Sequence, residues 1–589
     1  MMNSVLLGAS PQIVSWLTPV CLLGMGAILG LLLLCVIYGI SFGLSRIPLL
    51  GSLNESRSAR DLTAGGIAAV TTLIGAPLTI GRSYSTWAEE GTSNVIFSSF
   101  FALVVVVVIG VLLGYTFVAL VSRKTIDEMS TTIMEGPVLW ILLVASAIGL
   151  LGLGSTVVLQ DPNALVDSMW ELPYTGTKTE KFDIDAPKSD SADVTDPGEQ
   201  TIQVPFDGRL LKSLYFETSE TLDVFAKPLD ERTFDKEGSI NVHGDANERV
   251  VWHKSRDDVA IVPNEPITKL YIRNLGSSAG ELRLSIVTAP EYPQVITIPL
   301  TAFSVVVIVL LYVLQRSLMP KLSAIALSTC KSGLAERWFI VVLVLIGIGL
   351  VISVYVPYNT FGEDIKMLKL VGLQAILVTA IFLAVWAASK SISEEVEGRT
   401  ALTVLSKPIA RRDFILGKFL GITWSLAVFF IVLSVVFLVV LAYKPIYDEY
   451  EGGGDIVGWE ICHLEMTLVV PGLALAFMEV VVMTALSVAF STRIPMMANF
   501  MTCIMVYVLG HLTPMLVQSS LNRFEIVTFV ARLIATIFPV LDHFNIQAAV
   551  AGGAVVPLAY LGWSLLYCFI YGTIAMLLAL VMFEDRDLA

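Results

Sequence analysis

Residues 415–442 read I-L-G-K-F-L-G-I-T-W-S-L-A-V-F-F-I-V-L-S-V-V-F-L-V-V-L-A, and Lys418 is the only charged side chain among them. The hydrocarbon core of a bilayer is about 30 Å thick, which a helix crosses in about 20 mostly apolar residues. This run is long enough to cross with residues to spare. Comparable runs lie near 14–44, 95–122, 136–159, 296–316, 337–357, 367–388, 466–491, 495–516 and 555–582. Thr63 to Gly81 is weaker, rich in Gly and Thr, and reads either as an eleventh span or as a re-entrant piece. Composition agrees: 55% of the 589 residues are hydrophobic and 15% charged, against about 25% charged in a soluble domain. The fold class is a polytopic α-helical membrane protein with about 10–11 transmembrane helices. A soluble enzyme, a disulfide scaffold, a disordered tail and a nucleic-acid binder are excluded. No basic patch interleaved with aromatics is present.

Lys and Arg collect on the cytoplasmic side of a membrane protein. Lys390, Arg399, Lys407, Arg411, Arg412 and Lys418 crowd 389–418, which is read as cytoplasmic, and Arg316, Lys321 and Lys331 place the segment before 337 there too. In 443–465, Lys444 stands alone against Asp448, Glu449, Glu451, Asp455, Glu460 and Glu465, so that loop is read as outside. Counting spans from these anchors puts 161–295 outside and the C-terminus inside, in an inner (cytoplasmic) membrane. If Thr63 to Gly81 crosses, there are eleven spans and the N-terminus is outside; if not, there are ten and it is inside. Eleven is the preferred count. Residues 1–45 carry no charge and no basic n-region, so a cleaved signal peptide is not expected.

The net charge is −14, and residues 161–295 hold 25 acidic against 14 basic side chains. This insert opens on a Pro- and Asp-rich stretch, 173–199, that reads as a flexible linker. Then the period becomes two: T-I-Q-V-P-F, L-K-S-L-Y-F-E-T, T-L-D-V-F-A-K, R-V-V-W-H, I-T-K-L-Y-I-R-N and E-L-R-L-S-I-V alternate or are β-branched, with turn residues between them. Six to eight short strands predict a small all-β sandwich. The expected organisation is an N-terminal membrane region (1–160, three or four spans), an extracytoplasmic sandwich (161–295), a connecting span (296–317) and a six-span region (318–589). The six cysteines, at 21, 35, 330, 462, 503 and 568, form no CxxC pair, and none lies in the insert.

The most informative segment runs from Ser389 to Gly421, S-K-S-I-S-E-E-V-E-G-R-T-A-L-T-V-L-S-K-P-I-A-R-R-D-F-I-L-G-K-F-L-G. It reads as a cytoplasmic helical hairpin between two spans. Glu394, Glu395 and Glu397 crowd together, Gly398 loosens the turn, and Thr400 is placed to cap the helix after it. Leu402 and Leu405 share one face, and Pro408 stops that helix because it lacks the N–H donor. A plain basic loop would set sidedness equally well, but a short helix fixed to two spans also offers a grip to a soluble motor.

The pattern Glu394-Glu395-x-Glu397-Gly398-x-Thr400-x-x-x-x-Leu405-Ser406-Lys407-Pro408-Ile409-x-Arg411-Arg412, followed by Gly417-Lys418, resembles the signature of ABC-2-type transporter permeases. Phe538-Pro539-x-Leu541-Asp542-x-Phe544-Asn545 is similar to that family's segment before the last span, and Phe583-Glu584-Asp585-Arg586-Asp587-Leu588 to its cytoplasmic tail. The resemblance covers roughly 320–589. It implies that Glu394, Glu395, Glu397, Gly398, Thr400, Leu405, Lys407, Pro408, Arg411, Arg412 and Lys418 form a coupling helix resting on an ABC ATPase subunit. No G-x-x-x-x-G-K-[ST] occurs in this chain, so ATP and magnesium would belong to that partner and this chain would not be an enzyme. A second permease copy or paralogue and membrane lipids are the other partners implied. The first 320 residues match no pattern of the family. The rival reading is a membrane scaffold or sensor whose outer β-domain binds a ligand.

Three side chains are candidates for a translocation path: Glu479, His511 and Asp542. Glu479 stands deep in an apolar run, where a lone carboxylate is costly and marks a wet path, a structural pair or a neutral hydrogen-bonded acid. Asp542 falls in the similar segment and also reads as shaping an outer turn. All five histidines fall on the outer side; His463, His511 and His543 fit no standard metal spacing, so no metal is expected. No nucleophile–base spacing marks a catalytic site.

Overall fold

In the computed structural model the chain divides into two compact units, Met1–Gln160 with Ile298–Ala589, and Asp161–Thr297. The residues described are 11–47, 56–88, 92–123, 125–127, 136–159, 161–186, 199–226, 239–243, 250–254, 262, 265–276, 278–358, 363–393, 410–453, 456–520, 529, 533, 536 and 538–584. The first unit is helical: α1 (Pro11–Ser45), α2 (Arg57–Ala88), α3 (Thr92–Val121), α4 (Pro137–Thr156), α6 (Thr297–Leu318), α7 (Pro320–Leu334), α8 (Arg337–Ser353), α9 (Asp364–Ala388), α10 (Arg411–Gly452), α11 (Trp459–Thr467), α12 (Val470–Ser491), α13 (Met496–Ser520), α14 (Gln547–Ala551) and α15 (Leu558–Glu584); α5 (Pro162–Glu171) belongs to the second unit. Among the described residues nine helices are long and apolar enough to cross a membrane, or ten if α7 and α8, bent by 61° at their junction, count as one span. Each of the ten apolar runs predicted from sequence falls on one of these helices.

At about 1.5 Å per residue, α10 extends about 63 Å, from Arg411 to a left-handed glycine cap at Gly453 (φ +67°). Its two ends name the two ends of the bundle. Trp16 Nε1 donates to the Val439 carbonyl at 3.2 Å, and the Trp16 and Tyr443 rings meet edge-on. Leu34 and Tyr38 instead join Val138, Tyr312 and Trp424. So α1 runs antiparallel to α10, starting at the Gly453 end. By the same contacts α4 starts at the Arg411 end, and α6 returns to it. Between Ser45 and Pro137 the chain leaves the Arg411 end and comes back, along α2 and α3. These two lie antiparallel, with Tyr115 donating to Asp61 at 3.2 Å.

Helices in lipid close on one another through small residues, because apolar side chains gain nothing by leaving the tails. A Cβ on Gly24 of α1 would stand 2.5 Å from the Gly152 Cα of α4, and one on Gly30 would stand 3.0 Å from the Ala302 carbonyl of α6. Gly110 and Gly114 of α3 lie over Ala68 and Ala64 of α2, and Gly417 and Gly421 of α10 over Ile325 and Ala326 of α7. Around α9, α10 and α12 the buried core is conventional, with Leu373, Ile376, Phe429, Phe437 and Val488 sealed from solvent.

The second unit holds eight strands: β1 (Gly176–Ile184), β2 (Gln200–Asp207), β3 (Leu211–Thr218), β4 (Leu222–Phe225), β5 (Ser239–Val242), β6 (Val250–His253), β7 (Pro266–Asn274) and β8 (Gly280–Thr288). They form two four-stranded sheets in the orders β1-β8-β3-β6 and β2-β7-β4-β5, the jelly-roll arrangement of a sandwich. Leu214, Phe216, Leu222, Val242, Ile272 and Leu284 fill the space between the sheets. One expectation is corrected. Residues 176–184 are not linker but an edge strand, paired with β8 from Gly176↔Thr288 to Ile184↔Gly280. It faces solvent along most of its length and buries only Ile184 fully, so its composition is that of a polar loop.

Candidate functional site

Residues 394–409, which carry Glu394, Glu395, Glu397, Gly398, Thr400, Leu405, Lys407 and Pro408, lie outside the described residues. Their two flanks are described, and both are tied down. Upstream, α9 ends in a π-helical turn, Ser389–Ser393. Such turns recur where a helix is adapted to a function. The Ser389 hydroxyl accepts a hydrogen bond from Asn499 Nδ2 at 2.7 Å, and the same amide lies 2.9 Å from Ser487 Oγ and 2.9 Å from Ser491 Oγ. Asn499 and the three serines are fully buried, so one amide binds α9, α12 and α13 together. Lys390 Nζ meets Glu336 Oε2 at 2.7 Å, at the bend between α7 and α8.

Downstream, Arg411 opens α10 and its guanidinium donates to the carbonyls of Glu584 (2.7 Å) and Phe583 (3.4 Å) at the end of α15. The last carbonyls of a helix lack partners within it and carry its negative dipole end, so a cation is favoured there. Arg493 does the same for Met582 at 2.6 Å, and Phe414 stacks on Phe583. Gly417 and Gly421 let α10 close on α7, and Lys418 is buried with its amine 5.5 Å from the Phe414 ring. Arg412 is exposed, 3.8 Å from Asp413.

A second cluster lies within the spans. Glu479 of α12, buried, stands with Oε1 3.5 Å from His511 Nε2 of α13. His511 Nδ1 is 3.2 Å from the Tyr507 carbonyl, and Gln374 of α9 donates to the Tyr507 hydroxyl at 3.3 Å. Because Nδ1 faces an acceptor it carries a hydrogen, an assignment made from the contact. The Glu479–His511 contact is then favourable only with one more proton, as imidazolium with carboxylate or imidazole with carboxylic acid. Asp542 lies near enough to Glu479 to interact electrostatically. It sits in a 3₁₀ turn, Leu541–Phe544, packed on α13 where Gly510 has no Cβ to meet Leu541. Tyr560 donates to the His543 carbonyl at 2.7 Å, and the Val540 N–H donates to the Tyr567 hydroxyl at 2.9 Å. Thus Glu479 and His511, read separately along the sequence, meet, and the turn that carries Asp542 packs on the helix of His511.

Residues 324–588 match the family described as ABC-2 family transporter protein. This region is an ABC-2-type permease domain. No curated protein matches the chain. The matched region begins within α7 and ends after α15, so the permease domain includes the α7–α8 bend, both flanks of 394–409 and the Glu479 cluster. Sequence reading passed over Asn499 and Glu336. Asn499 was visible as a lone amide in the apolar run M-M-A-N-F-M, whereas nothing in the sequence pairs Glu336 with Lys390, 54 residues away. Lys369, buried and paired with Glu465, also escaped notice, and Lys444, read only for its charge, is buried and pairs with Asp448 at 2.7 Å. Among the described residues no group of three His, Cys, Asp or Glu side chains is placed to hold a metal ion.

Proposed function

We propose that this chain is the membrane subunit of an ATP-driven ABC exporter, and that residues 389–418 receive the stroke of a separate ATPase subunit. The observation that carries the reading is the pinning of both flanks of 394–409. Ser389 is held through Asn499 to α12 and α13, Lys390 to the α7–α8 bend, and Arg411 to the end of α15. A push on the segment between them therefore loads every part of the permease domain at once. Interfaces and cores that are packed this closely shift between discrete arrangements instead of yielding locally, as alternating access needs.

In this reading ATP and magnesium stay in the partner, two permease copies or paralogues surround the substrate, and the chain sits in the inner membrane with 161–295 outside. The Glu479, His511 and Asp542 cluster borders the translocation path, since an intramembrane ionisable pair is a functional site by default. The test is direct. Reversing Glu394, Glu395 and Glu397 to Lys is expected to release the ATPase from the purified complex, and unaltered co-purification would overturn the coupling role. An ATPase that stays bound and active without any flux of substrate would move the reading to the scaffold or sensor.

A further inference from the structure

In the β-sandwich a cleft of about 570 Å³ opens at the edge strands β1 and β2, one from each sheet, beside the turn Leu172–Tyr174 that leads into β1. Small-molecule sites occupy about 300–1,000 Å³. Its wall is shaped by a bulge. The register of β2 on β7 slips between Gln203↔Lys269 and Phe206↔Ile267, so Val204 and Pro205 together stand opposite Thr268. Bulges re-aim side chains and recur beside functional sites, and the two residues that follow this one, Phe206 and Asp207, both line the cleft.

The turn after β2 is fastened in place. The Leu210 N–H donates to the Asp207 carbonyl at 3.1 Å, the Gly208 N–H to the Glu265 carbonyl at 3.1 Å, and Lys254 Nζ to the Gly208 carbonyl at 2.6 Å. Asp207 and Arg209 are thereby presented as a set pair, with the Arg209 N–H 2.9 Å from Asp207 Oδ1 and the guanidinium 3.4 Å from Oδ2. Tyr174 also lines the cleft and is 80% exposed. A ring left so bare buries little in the free protein and is open to stacking.

The chemistry of the wall narrows the choice of ligand. Glu171 and Asp207 stand on it together with Lys178 and Arg209. An anion or a cation would meet a like charge, and a zwitterion would have to part Asp207 from Arg209. A neutral polyol meets neither obstacle. Each hydroxyl donates and accepts, while a carboxylate offers about four acceptor sites and a guanidinium five N–H donors. Neighbouring hydroxyls can therefore bridge the pair and leave its own contact intact, in bonds strengthened by the charged member. A sugar ring adds an apolar face of C–H bonds, whose slight positive charge complements the negative face of an aromatic ring.

We infer that this cleft binds a pyranose unit of an oligosaccharide, with two hydroxyls bridging Asp207 and Arg209 and the C–H face of the ring on Tyr174. The site lies wholly within Asp161–Thr297 and does not depend on the coupling reading.

The experiment uses the full-length chain purified in octaethylene glycol monododecyl ether, a detergent with no sugar headgroup to occupy the cleft. Maltohexaose, cellohexaose, laminarihexaose and chitohexaose are titrated by calorimetry, with inorganic phosphate, spermidine and phosphocholine as anionic, cationic and zwitterionic controls. At least one hexasaccharide is expected to bind, one per chain, and the controls are not. Tyr174→Ala and Asp207→Asn should each weaken that binding about tenfold or more. The melting temperature should stay where it is in Tyr174→Ala, and saturation-transfer NMR should lose its signal on the sugar C–H protons. Binding by none of the four sugars, tighter binding of any control, or variants that bind as the wild type does would each overturn the inference. Should Asp207→Asn disturb the turn, Tyr174→Ala and Arg209→Met decide it, since both side chains are largely exposed.

Discussion

Asn499 is the joint whose removal tests the architecture most sharply. Its amide has two hydrogens and three serine oxygens within reach, at 2.7, 2.9 and 2.9 Å, so two bonds are made in full. Interhelical hydrogen bonds in membranes contribute about 0.6 kcal/mol on average and about 1.7 at most, which gives about 1.2 kcal/mol for the pair. Ser491 also donates to the Ser487 carbonyl at 2.7 Å and keeps that partner. Ser389 is left buried without Asn499, adding about 1–3 kcal/mol. Asn499→Ala is thus expected to destabilise the bundle by about 2–4 kcal/mol.

Because alanine also leaves a void, the single variant does not isolate the bond. A double-mutant cycle of Asn499→Ala with Ser389→Ala does, read from unfolding midpoints in SDS titrations of the purified chain. The expected coupling energy is about 0.6–1.7 kcal/mol, and the double variant should be less unstable than the two singles added together. Strict additivity would refute the claim that this amide ties the base of 389–418 to α12 and α13.

Three further outcomes are expected. Gly24→Leu should lower the melting temperature markedly, since its Cβ would stand 2.5 Å from the Gly152 backbone, while Gly154→Leu, with nothing within 4 Å, should not; overpacking costs about 1–3 kcal/mol even where neighbours can shift. Lys444→Met leaves the half-buried Asp448 unpaired and should cost about 3–5 kcal/mol in the same SDS titration, and adding Asp448→Asn should recover most of the loss. In a Cys35→Ser background, cysteines at Ser219 and Tyr450 should react with an impermeant thiol reagent in intact cells and one at Lys331 only after lysis; the reverse pattern would invert the proposed topology.

Much of this molecule was legible because its strongest signals are long and local. An apolar run of 20 or more residues has few alternatives to a span, and the alternation in L-K-S-L-Y-F-E-T or E-L-R-L-S-I-V suits a half-buried strand and nothing helical. What escaped was short, one-sided or distant. β5 has four residues, and β1 hides its inward Phe182 and Ile184 in a stretch of Lys, Thr, Glu and Asp. The contacts Glu336–Lys390, Asn499–Ser389 and Glu479–His511 join residues 54, 110 and 32 positions apart. Their charges and amides were plain to see, but their partners are chosen by how helices cross.

The stretch Thr63 to Gly81 shows the same limit in the opposite sense. Hydropathy rewards large apolar side chains, yet the face that α2 turns to α3 is Ala64 and Ala68 against Gly114 and Gly110. Small residues of this kind add little to a hydropathy average while allowing the backbone contact that holds helices together in lipid. The order of the helix ends suits a crossing. Trp16 reaches the Val439 carbonyl only if α1 begins at the Gly453 end, and Val138 reaches Tyr312 only if α4 begins at the other. If α3 crosses once, a crossing α2 returns the chain to the end at which α4 starts, although α2 is not among the nine helices of the described residues that are long and apolar enough to span. Were α2 merely re-entrant beside such an α3, α4 would start beside Val439, and one of these two contacts could not exist.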